Sequence, residues 1–467
     1  MKKGDIVTLR LEKFADRGKS LARLDGYVVF VAGAVPGDLV EARIFKRRKS
    51  FAEGRLTKVL EPSALRTDPV CQYFAACGGC KWQHVEYGAQ LDAKQQSVHE
   101  ALMHAGGFKG VEVLPTIAAD PIYRYRNKME FSFSAFRWLT DWEIASGAEL
   151  DKSFAAGLHV PGRFDKVLDL TACFLMPEVG VRVLNATRAF AKQHGWMPWN
   201  VRTHEGYLRN LMLRMPVFED ELMVALTTSA DMPERAEQLA EHYQATIPEI
   251  TTFVNVINPT IGQTPYGAQT NVLFGPGVVH DRIGPHRFEI GPSAFFQTNS
   301  RQAEVLYDVA REYAQLKPTD LLYDLYCGAG TISMYMADAV ERVVGVELVE
   351  EAVRNAKANA LANGVDNCTF VAGDMKSLFN AEFVEAHGWP DVLIVDPPRA
   401  GMHPKVVKHI GRLRPERFVY VSCNPQTQAT DLSALADVYE IERVQPVDLF
   451  PHTHHIESVA QLRRRDG

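Results

Sequence analysis

The chain has 467 residues, too many for one compact core, so roughly two to four domains are expected. Its 46% hydrophobic and 23% charged content is ordinary for a soluble globular protein. No apolar run reaches the ~20 residues that span a bilayer, and Met1-Lys2-Lys3 leads into charged sequence rather than a secretory h-region, which argues against a helical membrane protein and predicts a cytoplasmic one. In that compartment the seven cysteines stay reduced and are read as ligands, nucleophiles or core residues before disulfides. The net charge of −6 hides an asymmetry: residues 1–60 hold 14 Lys and Arg against 7 Asp and Glu, leaving 37 against 50 elsewhere. A basic module on an acidic body suits contact with phosphate through one face, although a merely solvated surface would carry the same charges.

Residues 4–60 read as five short strands broken by glycine turns, among them Asp5–Leu9 and Gly26–Val31, with Val35-Pro36-Gly37-Asp38 as a turn. That density of strands predicts a small OB-like barrel over residues 1–62. Lys46-Arg47-Arg48-Lys49 beside Phe51 would set phosphate contacts next to a stacking ring.

Next comes Cys71-x5-Cys77-x2-Cys80, with Cys173 far beyond it. Gly78-Gly79 lets Cys77 and Cys80 point at one centre, and four thiolates suit either a [4Fe–4S] cluster or a tetrahedral zinc. Spacing leaves both open; one tight loop plus a distant ligand leans towards iron–sulfur. A helix is expected near 86–105. A β-rich central domain follows to about residue 290, with strands over Met129–Phe136, Glu221–Thr228 and Thr252–Val256 and a helix near 177–194.

From about 303 the texture becomes strand–helix alternation, with strands Leu321–Leu325, Arg342–Glu347, Cys368–Ala372, Asp391–Val395 and Arg417–Ser422. Such alternation predicts a parallel sheet covered by helices, a Rossmann-like α/β domain over 291–467. The tail strands Tyr439–Leu449 and His455–Leu462 leave no room for a helix between them and should be antiparallel.

Asp324-Leu325-Tyr326-Cys327-Gly328-Ala329-Gly330-Thr331 ends the first of these strands and opens a helix, a turn in which glycine lets the backbone approach a ligand. Glu347 ends the next strand, placed to accept from both ribose hydroxyls. A dinucleotide site would use the same logic, but the third glycine of its fingerprint is Ser333 here. S-adenosylmethionine has no phosphates and does not need that glycine, so a methyl donor is the preferred cofactor.

Asp396-Pro397-Pro398-Arg399 and Ser422-Cys423-Asn424-Pro425 each follow a strand at the same carboxyl edge, where α/β sheets bind ligands. A cysteine at a strand end suggests a nucleophile; the bland alternative is a buried structural thiol. Thiolate addition to carbon 6 of uracil would place electron density on carbon 5, which is otherwise a poor nucleophile towards a sulfonium methyl. A base must then remove the carbon-5 proton, and Glu457, in Pro451-His452-Thr453-His454-His455-Ile456-Glu457, is the best candidate. The three histidines fit no familiar zinc set and read as pocket-shaping.

Together these motifs resemble the RNA uracil-C5 (m5U) methyltransferases across essentially the whole chain. The resemblance implies that the barrel is a TRAM domain and that Cys71, Cys77, Cys80 and Cys173 hold a [4Fe–4S] cluster, as in the 23S rRNA branch. It also implies that Cys423 is the nucleophile and that Glu457 is the base. Phe295-Phe296-Gln297-Thr298-Asn299 looks like the entry to the donor site, with Gln297 in contact; Tyr326, Glu347 and Asp396 fall on further donor positions, and Gly328, Thr331 and Asp374 complete the set. Tyr125-Arg126-Asn127-Lys128 resembles a motif near the substrate cleft. By the same analogy the segment near 86–115 packs with the catalytic domain, the RNA is 23S rRNA rather than tRNA, and the protein is a monomer with no obligate protein partner. The rival readings are a methyl-donor enzyme of another class, such as a radical enzyme, and a non-catalytic RNA-binding or assembly factor.

Overall fold

The computed structural model describes every residue except 263, 265, 266, 268, 379, 466 and 467. Residues 6–61 form six strands, β1 (Ile6–Arg10), β2 (Lys13–Ala15), β3 (Lys19–Leu24), β4 (Tyr27–Ala32), β5 (Leu39–Arg47) and β6 (Phe51–Glu61). Their order is β1-β5-β6-β4-β3-β2, antiparallel except for β4 with β6. The expected five short strands are thus six, and two are long: β5 has nine residues and β6 eleven. Three register irregularities between them bend this pair around a core of Val29, Val31, Val40, Ala42 and Ile44.

Helix α1 (Tyr87–His104) buries Gln90, Lys94, Val98, Ala101 and Leu102, the spacing of a single helical face. The central sheet follows, built from β7 (Lys128–Ser134), β8 (Ala155–Gly157), β9 (Leu208–Arg214), β10 (Met223–Thr228), β11 (Thr252–Ile257) and β12 (Gln269–Phe274). Helices α2 (Glu178–Gln193) and α3 (Pro233–Thr246) interrupt it. The order is β12-β11-β10-β9-β7-β8, and the one parallel pair, β10 with β11, is the pair joined through α3, as a parallel crossover requires. A hairpin, β13 (Val279–Ile283) and β14 (His286–Ile290), leads into α4 (Ser300–Ala314).

The last sheet contains β15 (Leu321–Leu325), β16 (Arg342–Glu347), β17 (Cys368–Ala372), β18 (Val392–Val395), β19 (Arg417–Ser422), β20 (Tyr439–Val447) and β21 (Glu457–Arg464). Helices α5 (Thr331–Met336), α6 (Glu350–Ala362), α7 (Pro404–Leu413) and α8 (Pro425–Ser433) lie between its strands. The order β17-β16-β15-β18-β19-β21-β20 is parallel through β19 and antiparallel for β21 and β20, as the strand lengths and connections predict. Strands β18 and β19 are buried along their whole length, which is why they read as unbroken apolar runs.

Helix α1 packs against this last sheet rather than the central one: Val98, Ala101 and Leu102 share a core with Phe418, Tyr420, Val444 and Leu432. Just beyond α1, Val113 and Ile117 bridge Val444 and Val447, extending the sheet edge. Among the described residues no helix is long and apolar enough to cross a membrane.

Candidate active site at the carboxyl edge of the seven-stranded sheet

Helix caps fix the rim. Asn424 caps α8 by accepting from the Gln426 N–H at 3.2 Å, with Pro425 at the first helical position, so the residue just before the cap is held where β19 ends. That residue is Cys423. Asn299 caps α4 in the same way and donates to the Leu449 carbonyl at 3.0 Å, which holds Gln297 and Thr298 against the tail loop. From the central sheet, Asn127 completes the clamp, donating to the Gln297 carbonyl at 2.9 Å and to Ser300 Oγ at 2.7 Å.

A cleft of about 1080 Å³ opens along this rim. Gln297, Tyr326, Gly328, Thr331, Glu347, Asp374, Asp396, Cys423 and Glu457 all line it, as do Phe295, Arg126, Arg399 and His455. Gly330 lies at φ +78°, and a Cβ there would stand 2.8 Å from the Phe370 ring, so the turn needs glycine at that position. Ser333, where a dinucleotide site would have glycine, donates to Asp324 Oδ2 at 2.5 Å, and burial pushes the Asp324 carboxyl up to about 7. Glu347 accepts from the N–H groups of Gly328 at 3.1 Å and Val349 at 2.9 Å, which orients its carboxylate at the cleft wall. Thr331 Oγ1 is 2.9 Å from the Tyr307 hydroxyl. Asp396, half-buried at the cleft wall, is raised to about 7 by desolvation.

The two proposed reacting groups meet across the antiparallel pair β19–β21. Ser422 pairs with Ser458 at the end of that ladder, and Cys423 and Glu457 are the residues that adjoin this final pair. Burial, with the nearby Glu457 and Asp396 charges, pushes the Cys423 thiol up to about 11; the Arg399 guanidinium opposes this by charge and hydrogen bond. Burial first, and then the Asp396 charge, raise Glu457 well above the usual carboxylate range. Arg399 also donates to His455 Nδ1 at 3.3 Å, and His455, lowered to about 3 chiefly by burial, is neutral and accepts. The Arg399 carbonyl accepts from Asn424 Nδ2 at 2.9 Å, tying the Pro-Pro-Arg loop to the cap beside Cys423. Arg399 carried no role in the sequence reading; the signal was present, since it stands four residues beyond a strand on the same rim.

Cys71, Cys77, Cys80 and Cys173 line a second cavity of about 340 Å³, whose wall shares Gly79, Arg126, Thr298 and Thr453 with the cleft. Gln83 Nε2 donates to Cys80 Sγ at 3.1 Å and the Gly79 N–H to Cys77 Sγ at 3.4 Å. Burial raises Cys77 to about 11 and Cys80 to about 12. Among the described residues no group of three or more His, Cys, Asp or Glu side chains is arranged to hold a metal ion.

Comparison with known proteins decides the family. The model of the tRNA (uracil-5-)-methyltransferase family matches residues 215–465, and that of the TRAM domain matches residues 1–57. The chain belongs to the RNA uracil-C5 methyltransferases. An RNA methyltransferase of Chlorobaculum tepidum is 44% identical, covering 100% of this chain and 98% of its own. One from Bacteroides thetaiotaomicron is 42% identical over 97% and 100%. Among solved structures, the Pyrococcus abyssi tRNA (uracil-54, C5)-methyltransferase in complex with S-adenosyl-L-homocysteine superposes with a TM-score of 0.75. It is 27% identical and covers 97% of this chain and 99% of its own. As a uracil-C5 methyltransferase with an N-terminal TRAM domain, the chain matches the expected fold class.

Proposed function

We propose that this methyltransferase uses S-adenosylmethionine to methylate carbon 5 of a uridine in 23S rRNA, with Cys423 as nucleophile and Glu457 as base. The observation that carries the reading is that Cys423 and Glu457, which adjoin the final Ser422–Ser458 pair, line the same cleft as Gln297, Tyr326, Gly328, Thr331, Glu347, Asp374 and Asp396. Those seven residues would hold the donor, which supplies an electrophilic sulfonium methyl. Cys423 Sγ adds to carbon 6 of the uracil, and Arg399 stabilises the thiolate against the burial that disfavours it. Carbon 5, now electron-rich, takes the methyl. Glu457 then removes the carbon-5 proton, and elimination of Cys423 restores the ring double bond. A carboxylate desolvated as deeply as Glu457 has a raised proton affinity, which suits a base working on carbon.

RNA would cross the TRAM barrel and reach the cleft with the target uridine flipped out of its stack. The same proposal divides the chain at residues 62 and 290, with α1 serving the catalytic part, and places a monomeric protein in the cytoplasm. The four cysteines would hold a [4Fe–4S] cluster. The N–H groups that reach Cys77 and Cys80 are the partners that metal-bound thiolates take, and all four cysteines line one cavity. Bound iron and sulfide, lost in Cys77→Ser, would support it; stoichiometric zinc would refute it.

RNA carrying 5-fluorouridine at the target, incubated with the donor, should trap a covalent complex through Cys423 that Cys423→Ala does not form. An active wild-type enzyme that gives no such complex would overturn the mechanism. The likeness to a tRNA enzyme over 97% of the chain favours tRNA as a second reading. Mapping 5-methyluridine in the rRNA and tRNA of a deletion strain separates the two.

A further inference from the structure

The tail segment from Asp448 to Glu457 runs between the cysteine cavity and the catalytic cleft, and His452 sits near its middle. Its backbone lies at φ +64°, a left-handed conformation uncommon for residues other than glycine. The surroundings here are specific. The His452 carbonyl accepts from the N–H groups of Lys81 at 2.8 Å and Trp82 at 3.0 Å, the two residues that follow Cys80. Its own N–H donates to Gln90 Oε1 at 2.9 Å. Gln90, fully buried on α1, returns its amide to the carbonyls of Trp82 at 3.0 Å and Val85 at 2.9 Å, and lies 3.3 Å from His452 Nδ1. The imidazole stacks on Tyr123 at 4.2 Å between centroids.

The consequences fall unequally on the two reacting groups. Cys423 is set by β19 and by the Asn424 cap of α8. Glu457 is the first residue of its strand, paired with Val447 of β20, and residues 448–456 form the loop that closes this end of the pair. We propose that Gln90 and His452 are positioning residues that latch residues 450–457 to the cysteine loop, so that the order of the four-cysteine centre sets where Glu457 stands relative to Cys423. This rests on the reading of Cys423 and Glu457 given above. It gives the cysteine centre a mechanical part in a reaction that moves no net electrons.

Two measurements on the full chain test it. With natural RNA and S-adenosylmethionine, Gln90→Met, which keeps the volume and loses the hydrogen bonds, should still form the covalent complex. Release should slow about ten-fold or more, so that the complex accumulates. Gln90→Glu, which keeps the acceptor for the His452 N–H, should recover part of the release rate. Should Gln90→Met not fold, Tyr123→Leu, which removes only the stack, takes its place. Independently of activity, amide hydrogen exchange over residues 450–457 should quicken about ten-fold or more in Cys77→Ser while exchange over 425–433 stays unchanged. Parallel loss of attack and release, or unchanged exchange over 450–457, overturns the latch. Failure of the wild type to trap 5-fluorouridine RNA through Cys423 would instead sink the active-site reading, and the exchange measurement would still decide the latch.

Discussion

Cys423 and Glu457 adjoin the Ser422–Ser458 pair at which the β19–β21 ladder ends. Directly opposed residues of antiparallel strands have Cβ atoms about 4.5–5.5 Å apart, so this last pair brings the two adjoining groups to one end of the sheet. Replacing Glu457 with Gln keeps the volume and removes the base. The variant should accumulate the covalent complex with natural RNA and lose about 10²–10⁴-fold in turnover. Denaturing gels and single-turnover methyl transfer check this; unhindered turnover would remove Glu457 from its role.

Arg399 is the cation that opposes the upward pressure on the Cys423 thiol. Arg399→Gln should therefore raise that thiol further and cut the rate of complex formation about ten-fold at neutral pH, the equivalent of about one pKa unit. Raising the pH should restore part of the loss, because the thiolate fraction grows. A pH-independent deficit would mean that Arg399 acts on RNA binding instead.

Lys94 and Asp448 form an ion pair in which both side chains are inaccessible to solvent, 2.6 Å apart. Asp448 also accepts from the Tyr87 hydroxyl at 3.0 Å and the Phe450 N–H at 2.9 Å. Lys94→Met leaves that carboxylate buried without its cation and should cost about 3–5 kcal/mol in urea unfolding. Adding Asp448→Asn removes the stranded charge and should recover part of the loss. If the single variant unfolds like the wild type, the pair contributes nothing.

Asp324 is held to about 7 by burial, so the folded protein keeps a proton that the unfolded chain releases near 4. Its stabilising contribution is complete below the unfolded value and is lost as pH rises through about 7. Asp324→Asn can still accept from Ser333 and cannot ionise. Its melting temperature relative to the wild type should climb between about pH 5 and pH 8.5. A constant difference would show that Asp324 does not titrate in this window.

Period and punctuation made the seven-stranded sheet legible: Leu321–Leu325, Arg342–Glu347 and Arg417–Ser422 were readable to the residue because strands with buried interiors are largely apolar, and the more exposed Cys368–Ala372 because glycine-bearing turns at Gly364 and Gly373 bound it. The barrel was harder. Its strands β5 and β6 are partly solvated, and register irregularities interrupt the alternation that would have given their length. At the rim, each motif announced itself through Pro, Gly or a strand end, but the partnerships between motifs did not. Arg399 reaches His455 across 56 positions and Lys94 reaches Asp448 across 354, and no local pattern encodes a pairing at such separations.

That last separation also orders the birth of the protein. At about 5–20 residues per second, roughly 20–70 s pass between synthesis of Lys94 and of its counter-ion. Until then α1 cannot dock without burying an uncompensated charge, and the strand that opens with Glu457 has not emerged. The barrel has a core of its own, whereas one face of the central sheet shares a core with the catalytic sheet through Met212, Met223, Val254 and Val256 and must wait with it for the final stretch of translation. Half-made chains would therefore carry an RNA-gripping front end and no assembled chemistry.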